Sequence, residues 1–481
     1  MFLLLVGRTF AATFTVGPSG DYATVAEAEA VAASGDTIAL AAGVYIDALA
    51  PGGRDLTYVA SGDASIRAGG TCLSVEPGTR IGVEGIAFVE CGIVVSGGAL
   101  DARDVVFSDT TCARGCGIAA EDDATVTVTG GRFVDNVASG YGGSLSATSG
   151  ASITLTDTTF SGGSAARGGA IAFDSDGALT LDGVTITGAS AQQGGGLWAA
   201  GGTLDLVNVV FTENVATGAG GGAWLDGGGD LVRVEGARFV ANTAGGNGGG
   251  LASGGAATLE VTSSAFLANT AAGAGAGLYS TDSSVWIAGS VLLENDASSA
   301  GGGVYASGTS FEAENVALAC NTAGSGGGVY VSASDTVVNG VLATVNVGSG
   351  LVIYTSGFTA TDNLSWGNTG AEWGGVTDPT RTNGNLWLNP RVRAVACDGD
   401  WTTDDLAPSA SSALVSGADA VVDADGSVGD IGGYGGAWGG VLDVDDDGAT
   451  YWAGDCHEGR ADTYPGATEV WYDGTDQDCD G

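Results

Sequence analysis

The amino-acid sequence predicts an all-β protein, a parallel β-helix solenoid in which each coil takes 25 to 28 residues. The first reason is a large apolar residue that returns at this interval, and a fixed interval in this range is typical of a solenoid. The second reason is the alternation of apolar and polar residues before each such marker, which is the pattern of a β-strand. The third is a run of glycines or other small residues after each marker, which indicates a turn of the chain.

Eight markers define the regular part of the solenoid, from about Thr125 to Val329. They are Phe133, Phe160, Ile186, Phe211, Phe239, Phe266, Leu292 and Leu318. The two apolar residues that stand seven and five positions before each marker are expected to point into the core, as Val126 and Val128 do before Phe133. A coil holds no long stretch of helical periodicity, which disfavours ankyrin, tetratricopeptide and HEAT repeats.

The start of the chain indicates export. Residues 1–12 have the short apolar run and the small residues of a degenerate or truncated signal peptide. Residues 13–436 are assigned to the β-helix, and a short helix over Val25–Ala33 is expected to cap its first coil, because an open end would expose the core. No other segment reaches the roughly 18 apolar residues of a membrane-spanning helix. We therefore expect an extracellular protein, at the cell surface or associated with an outer membrane.

The composition is strongly acidic. Fifty-six acidic residues stand against 14 basic ones, for a formal net charge of −42. This charge argues against nucleic acid and anionic membranes as partners, and it suits divalent cations.

The eight cysteines form an even set, as expected in an oxidising compartment. Their spacing predicts the pairs Cys112–Cys116 and Cys456–Cys479. Cys72 and Cys91 are about one coil apart and are candidates for a bond between neighbouring coils, whereas the pairing of Cys320 and Cys397 is left open.

Short motifs in the repeat resemble those of known proteins. The F-x-x-N element, as in Phe133–Asn136, and the G-G-A-[ILV] element, as in Gly168–Ile171, resemble the repeats of chlamydial polymorphic outer-membrane proteins. The opening of the chain, with Gly35–Ile38, and its closing segment near Asn385–Pro390 resemble pectin-lyase-like bacterial β-helices. The resemblance implies a right-handed β-helix and a surface-displayed adhesin. The Asn after each Phe is expected to hold a turn through hydrogen bonds to the backbone and to neighbouring coils.

Residues 437–481 differ from the solenoid in composition. They contain D-x-D-x-D-G at Asp443–Gly448, then Asp455-Cys456, then P-G-A-x-E at Pro465–Glu469, and they end in a D-G-x-D-x-D-C-D-G run. This order resembles the MopE-type metal-binding motif. The resemblance implies an acidic, disulfide-stapled metal-binding tail.

Calcium is the cation that these residues favour. The expected ligands are Asp443, Asp445, Asp447, Asp455, Asp476, Asp478 and Asp480. Oxygen ligands suit Ca²⁺, although an EF-hand loop would place a glutamate where Gly454 stands. The family name carries an association with copper, but His457 is the one histidine of the chain, which makes copper a poor candidate. A tail that is acidic and stapled but binds no metal is the remaining alternative.

Outward columns of the predicted solenoid supply further candidates. Asp205, Arg233 and Glu260 fall in one column and are weak catalytic candidates, with an exposed charge ladder as the alternative. Trp286 lies in the same column. Tyr279, Tyr305 and Tyr330 fall in another column, behind Trp198 and Leu225, while Trp224 is expected to face the core. Trp286 and the three tyrosines are candidates for sugar binding, with ring stacking as the alternative.

The sequence favours an exported β-helix protein of adhesive or structural type, with a structural Ca²⁺ module and no catalysis. Cell-surface glycans or envelope proteins are its expected partners, and its oligomeric state is open. One alternative is a carbohydrate-active enzyme, either a polysaccharide lyase or a glycoside hydrolase, or a glycan-binding protein that uses the acidic and Trp column. Another is a metal scavenger carried by the solenoid.

Overall fold

A computed structural model describes residues 11–228, 231–255, 258–409, 411–423, 428–471 and 474–480. The chain divides into two compact units, Met1–Thr185 and Ile186–Gly481. Each unit is built as a parallel β-solenoid, with about 14 turns in the chain and almost no helix. The predicted fold class is therefore confirmed. Most of the predicted signal segment, residues 1–12, lies outside the described residues, so export stays a prediction.

In the first unit, each strand pairs in parallel with the strand one turn further along the chain. Val126 lies beside Ile153, and Phe133 lies between Phe107 and Phe160. The strands are Thr13–Val16, Thr37–Leu40, Gly43–Tyr45, Leu56–Ile66, Gly70–Val75, Arg80–Val89, Cys91–Ser96, Ala99–Arg103, Val106–Ser108, Thr111–Arg114, Ile118–Glu121, Thr125–Thr129, Arg132–Val134, Val137–Tyr141, Leu145–Thr148, Ser152–Thr156, Thr159–Ser161, Ile171–Asp174 and Ala178–Asp182. The strand Thr185–Thr187 spans the border of the two units.

The core of the first unit is a column of stacked rings. Phe88, Phe107, Phe133 and Phe160 lie with successive centroids 4.9, 4.9 and 4.6 Å apart, which matches the spacing of parallel strands. Each of these rings is at most 1 % exposed. The predicted inward positions are confirmed here.

The capping helix is shorter than predicted. It runs over Val25–Glu29 and begins with a capping box formed by Thr24 and Glu27. The prediction of a helix to residue 33 is wrong, because the amide of Ala33 donates to Asp36 Oδ2 at 2.7 Å. The carbonyl oxygen of Glu29 accepts instead from the Arg54 guanidinium.

The second unit repeats the same parallel register. Phe239 lies between Phe211 and Phe266, with ring centroids 4.9 and 4.8 Å apart. Its strands are Ser190–Ala191, Leu197–Ala200, Thr203–Val207, Val210–Thr212, Val215–Ala216, Ala223–Asp226, Leu231–Glu235, Arg238–Val240, Thr243–Ala244, Leu251–Gly254, Thr258–Thr262, Ala265–Leu267, Thr270–Ala271, Leu278–Leu293, Asp296–Ala297, Val304–Ala319, Val329–Asn339, Leu342–Thr344, Leu351–Tyr354, Gly357–Thr361, Leu364–Trp366, Trp373–Gly374, Val392–Ala394, Asp405–Pro408, Ala418–Val422 and Val428–Gly429. Short helices occupy Trp401–Thr403, Gly436–Gly439 and Tyr451–Ala453.

One predicted inward position is wrong by one residue. Leu225 is fully buried, whereas Trp224 is partly exposed and stacks on Trp198, with centroids 5.7 Å apart. Ala223 takes the inward place beside Leu197. A shift of one residue exchanges the two faces of a strand, so Trp224 replaces Leu225 in the outward column.

The glycine runs are required by the close approach of successive turns. A Cβ on Gly195 would lie 2.2 Å from the carbonyl oxygen of Gly221 on the next turn. The glycines therefore permit backbone contact rather than flexibility.

A ladder of buried asparagines runs along one corner of the second unit. Its members are Asn214, Asn242, Asn269, Asn295, Asn321, Asn346 and Asn368. Asn242 Nδ2 donates to Asn269 Oδ1 at 3.0 Å and to the carbonyl oxygen of Phe211 at 2.9 Å. At the last rung, Asn368 Nδ2 donates to the carboxylate of Glu372. The structural role predicted for the Asn after each marker is confirmed.

A second hydrophobic core lies outside the coil of the second unit. The residues that flank the markers on the outer face become apolar from Ala265 onward, and they include Leu267, Val291, Leu293, Leu342 and Leu364. A covering layer formed by the described residues of the segment 392–451 packs on this face through Leu406, Leu414, Ile431, Tyr434, Leu442 and Val444. Because Leu442 and Val444 belong to the same core as Ile431, the predicted border at Gly436 does not separate two cores.

All eight cysteines are paired. The bonds are Cys72–Cys91, Cys112–Cys116, Cys320–Cys397 and Cys456–Cys479. Among the helices of the described ranges, none has the length and apolar character to cross a membrane.

Candidate metal centre

The acidic loop, residues 443–448, is shaped by its first carboxylate. Asp443 Oδ1 accepts a hydrogen bond of 2.7 Å from the amide of Asp446, and Oδ2 accepts one of 2.9 Å from the amide of Gly448. Gly448 has a φ of +90°, which favours glycine. The tight loop brings oxygens of Asp443, Asp445 and Asp447 within 4.8 Å of one another. The sequence predicts this grouping for one hard cation.

Contacts on both sides hold the acidic loop against the second unit. Leu442 and Val444 are buried in the covering layer. Arg238, on the strand Arg238–Val240, forms an ion pair with Asp446, with 3.2 Å between Nη1 and Oδ2. Asp445 is only 6 % exposed. The loop is therefore packed against protein rather than surrounded by solvent.

Two more carboxylates approach the loop from the segment that follows it. Asp455 comes directly after the short helix Tyr451–Ala453 and Gly454, and its Oδ1 accepts a hydrogen bond of 2.6 Å from the amide of His457. Glu458 Oε2 accepts one of 3.5 Å from the amide of Val444, which precedes Asp445. Asp455 and Glu458 are each 1 % exposed. Glu458 was not predicted, because no metal-binding spacing in the sequence includes it.

Carboxylate oxygens without a hydrogen-bond donor are concentrated at this place. They are Asp445 Oδ1 and Oδ2, Asp447 Oδ2, Asp455 Oδ2 and Glu458 Oε1, all of them buried and without a donor in the part of the chain that the structure describes. Burying an unpaired carboxylate costs several kcal/mol. Coordination to a cation removes this cost, so the residues present fit a bound metal ion.

The ionisation of these carboxylates reflects their crowding. Burial, followed by the charges of Asp447 and Asp455, raises the pKa of Asp445 to about 8. Burial and the charge of Asp455 raise the pKa of Glu458 to about 10. Burial also raises the pKa of Asp455 to about 6. Without a cation, this cluster holds protons at a pH at which ordinary carboxylates are ionised.

Two arginines lie near the cluster and are engaged with other groups. Arg393 Nη1 lies 3.4 Å from Asp405 Oδ2 and donates at 3.0 Å to the carbonyl oxygen of Asp455. Its guanidinium also lies 4.9 Å from the ring centroid of Tyr451. Arg238 is paired with Asp446. These arginines moderate the negative charge but donate to none of the orphaned oxygens.

The end of the tail forms a second, separate acidic cluster. Oxygens of Glu469, Asp476 and Asp478 lie within 4.8 Å of one another. Asp480 is exposed nearby, and the charge of Asp478 raises its pKa. The structure groups Asp476 and Asp478 with Glu469 and apart from the acidic loop, which the sequence predicts that these two residues complete together with Asp480. Glu469 is the last residue of the P-G-A-x-E motif, and this motif is the sequence feature from which Glu469 could have been predicted as a member of the cluster.

The surroundings of His457 do not favour a copper site. Cys456 and Cys479, which lie beside Asp455, are bonded to each other and so offer no thiolate. His457 Nδ1 accepts a hydrogen bond of 3.3 Å from the amide of Gly459. The donor set here consists of carboxylate oxygens, which are hard ligands.

The weak catalytic candidates form a ladder of charges in which Arg233 is exposed and Asp205 and Glu260 are half-buried. Asp205 and Glu260 lie on the turns on either side of Arg233. Arg233 Nη1 lies 3.7 Å from Asp205 Oδ1, and Nη2 contacts Glu235. An inverting pair of carboxylates needs room for a water between them, and here an arginine occupies the intervening position. Such exposed pairs contribute at most about 1 kcal/mol each.

The aromatic candidates are engaged with other rings of the protein. The ring of Tyr305 lies between Tyr279 and Tyr330, at centroid distances of 5.1 and 5.3 Å and interplanar angles of 14° and 2°. Both of its faces are covered, so a sugar cannot stack on it. Trp286 packs edge-on against Trp438, with 5.7 Å between centroids. These contacts favour the alternative of stacking within the fold.

Comparison with known protein families agrees with both parts of the chain. Residues 91–266 and 142–323 match the family model described as right handed beta helix region. Residues 455–481 match the MopE family model described as "Putative metal-binding motif". No curated protein is similar enough to this chain to count as a match. The matches support a right-handed β-helix protein that carries a MopE-type motif, and the acidic loop lies before the matched stretch.

Proposed function

We propose that this β-helix protein is exported and serves an adhesive or structural role at the cell surface, and that its C-terminal module binds Ca²⁺ as a structural ion. The observation that carries the proposal is the convergence of Asp443, Asp445 and Asp447 on one tight loop, with oxygens within 4.8 Å of one another. The proposal assigns no catalysis to the solenoid. Its partners would be glycans or proteins of the cell envelope.

The chemistry of the loop supports calcium over softer metals. Carboxylates are hard, anionic ligands, and Ca²⁺ accepts six to eight oxygens in flexible geometry. Mg²⁺ demands a near-ideal octahedron and gives up its waters reluctantly. Copper prefers imidazole or sulfur, and the chain has one histidine and no free cysteine.

Export is supported by the disulfides and by the composition. Four disulfide bonds in one chain are typical of an oxidising compartment. A formal net charge of −42 favours solubility in a dilute extracellular medium through mutual repulsion between molecules. The apolar run within residues 1–12 is the signal expected to direct this export.

Calorimetric titration of the full chain tests the Ca²⁺ part of the proposal. After treatment with a chelator, the protein is expected to bind Ca²⁺ with a Kd between about 10⁻⁶ and 10⁻³ M. Asp445→Asn should weaken this binding, whereas Asp462→Asn, which changes an exposed carboxylate paired with Arg460, should not. The Ca²⁺ part of the proposal would be refuted if the protein bound no Ca²⁺, or if both variants lost Ca²⁺ affinity equally.

The surface location is tested in intact cells that produce the whole protein. We expect external protease to remove the protein, and an antibody to label cells without permeabilisation. Recovery of the protein only from the cytoplasm, with its cysteines reduced, would contradict the proposal of export.

A further inference from the structure

We propose that Asp455 and Glu458 complete the cation centre of the acidic loop. Four carboxylates, those of the buried residues Asp445, Asp455 and Glu458 and of the half-buried Asp447, hold a hard divalent cation of the Ca²⁺ class, and this ion fastens residues 443–458 together on the second unit. The inference rests on the proposed function, since it names the residues through which the C-terminal module binds its cation.

The burial of Asp455 and Glu458 is the first argument. Each side chain is 1 % exposed, and each keeps one oxygen, Asp455 Oδ2 and Glu458 Oε1, without a donor among the described residues. Asp445 is 6 % exposed, and both of its carboxylate oxygens lack a hydrogen-bond donor among the described residues. Carboxylates buried in this way take up a proton, pair with a cationic group or coordinate a metal ion. Protonation leaves the orphaned oxygens of these three side chains without a partner, whereas one cation bound among them satisfies all of them together.

The hydrogen bonds of Asp443 are the second argument. Both of its oxygens accept backbone amides, from Asp446 and Gly448. Asp443 therefore organises the loop, and the loop oxygens that have no hydrogen-bond donor among the described residues belong to Asp445 and Asp447. Two carboxylates are too few for a tight Ca²⁺ site, and Asp455 and Glu458 supply two more.

The exposed cluster of Glu469, Asp476 and Asp478 differs from this centre. Glu469 Oε2 accepts a hydrogen bond of 3.0 Å from the amide of Gln477, and Asp476 is exposed. Its carboxylates are in contact with solvent, so they need no cation to be stable.

The centre is coupled to the covering layer through its neighbours in sequence. Leu442 and Val444 flank Asp443 and are buried in the outer core, and Trp452 Nε1 donates at 2.8 Å to the carbonyl oxygen of Tyr434 in the same core. An ion bound by the acidic loop and by Asp455 and Glu458 links the two ends of residues 443–458. This segment contains Val444 and Trp452 and directly follows Leu442. Binding to the folded state alone then stabilises the covering layer by mass action.

Glu458→Gln in the full chain is the decisive variant. We expect at least a tenfold loss of Ca²⁺ affinity by calorimetry, because one anionic ligand is lost. In chelator, the melting temperature should stay close to that of the unchanged protein, because a neutral amide of similar size replaces a carboxyl group that holds a proton when no cation is bound. The rise of the melting temperature on adding Ca²⁺ should largely disappear. A purely structural role of Glu458 would lower stability in chelator and leave the affinity unchanged, which would overturn the inference.

Two further variants locate the ion. Glu469→Gln should keep the Ca²⁺-dependent rise in melting temperature, and Asp462→Asn serves as the matched tail control. If Glu469→Gln abolishes the rise while Glu458→Gln keeps it, the ion lies in the exposed cluster and the inference fails, although the proposed function stands. If the unchanged protein binds no Ca²⁺, this inference and the Ca²⁺ part of the proposed function both fail. Should Glu458→Gln not fold, Asp455→Asn is measured in its place with the same expectations.

Discussion

Cys320, on a turn of the second unit, is bonded to Cys397, in the layer that covers the outer face of that unit. The bond closes a loop with a sequence separation of 77 residues, whereas Cys112–Cys116 closes one of 4. The covering layer is thus attached covalently to the surface that it buries.

The long disulfide should contribute more to stability than the short one. On the chain-entropy estimate, a loop of this length stabilises the folded state by roughly 4 kcal/mol, against roughly 2 kcal/mol for the short loop. We expect the paired change Cys320→Ala/Cys397→Ala to loosen the covering layer before the solenoid. Hydrogen exchange would detect this as faster exchange over residues 392–451. Cys112→Ala/Cys116→Ala is the control, and equal effects of the two pairs would contradict the assignment.

Asn269→Ala should cost about 2–4 kcal/mol in the free energy of unfolding, because it breaks the asparagine ladder in its middle. The change leaves the side-chain amide of Asn242 without its acceptor at 3.0 Å and the carbonyl oxygen of Phe239 without its donor at 2.8 Å. Both groups are buried. Asn339→Ala, which removes one half-buried bond to Thr361, is the matched control. Denaturant unfolding measures both, and similar costs would argue against a special role of the ladder.

The stability of the cation-free protein should fall as the pH rises. Asp445 has its pKa raised to about 8 and Glu458 to about 10, whereas unfolded carboxyls titrate near 4. Between these values the folded state binds more protons than the unfolded state, so the free energy of unfolding decreases with pH. We expect the melting temperature in chelator to drop between about pH 5 and about pH 9. Excess Ca²⁺ should remove the drop, and Glu458→Gln should reduce it. A rise with pH in chelator would show that these carboxylates are ionised when folded.

Arg238→Met should strengthen Ca²⁺ binding. Burial and neighbouring carboxylates raise the pKa of Asp445, and the largely buried guanidinium of Arg238 opposes this rise, so it competes electrostatically with a cation at that carboxylate. Its removal should raise the affinity by several-fold, opposite in sign to the effect of Glu458→Gln. Arg460→Met, which changes an arginine paired with Asp462, is the control. Weaker binding in Arg238→Met would mean that Arg238 holds the loop in place more than it repels the ion.

The solenoid could be predicted from the sequence because its pattern is local and repeated. Each marker, such as Phe133 or Phe239, stands in a short frame of alternating residues, and parallel stacking repeats the frame. The error at Trp224 arose where the frame contains Ala223, a small residue that fills an inward place and resembles the end of the glycine run. Nothing in a single coil distinguishes the two registers there.

The centre at the tail was predicted only in part, because it depends on contacts between distant segments. Asp443, Asp445 and Asp447 share a loop and could be grouped by spacing. Glu458 joins them only because Leu442 and Val444 dock on the outer face and the chain then turns at Gly454. The docking surface itself belongs to turns between Ala265 and Leu364, which lie 78 to 177 residues before Leu442. A motif read along the chain contains no information about that surface.

Glu372 determines how the asparagine ladder ends. Each amide of the asparagine ladder donates toward the next turn, and at Asn368 the acceptor is the carboxylate of Glu372. A carboxylate has no proton to pass on, so the directional chain of amide bonds stops there. The ladder therefore ends on a carboxylate of the same chain and presents no further amide at this corner.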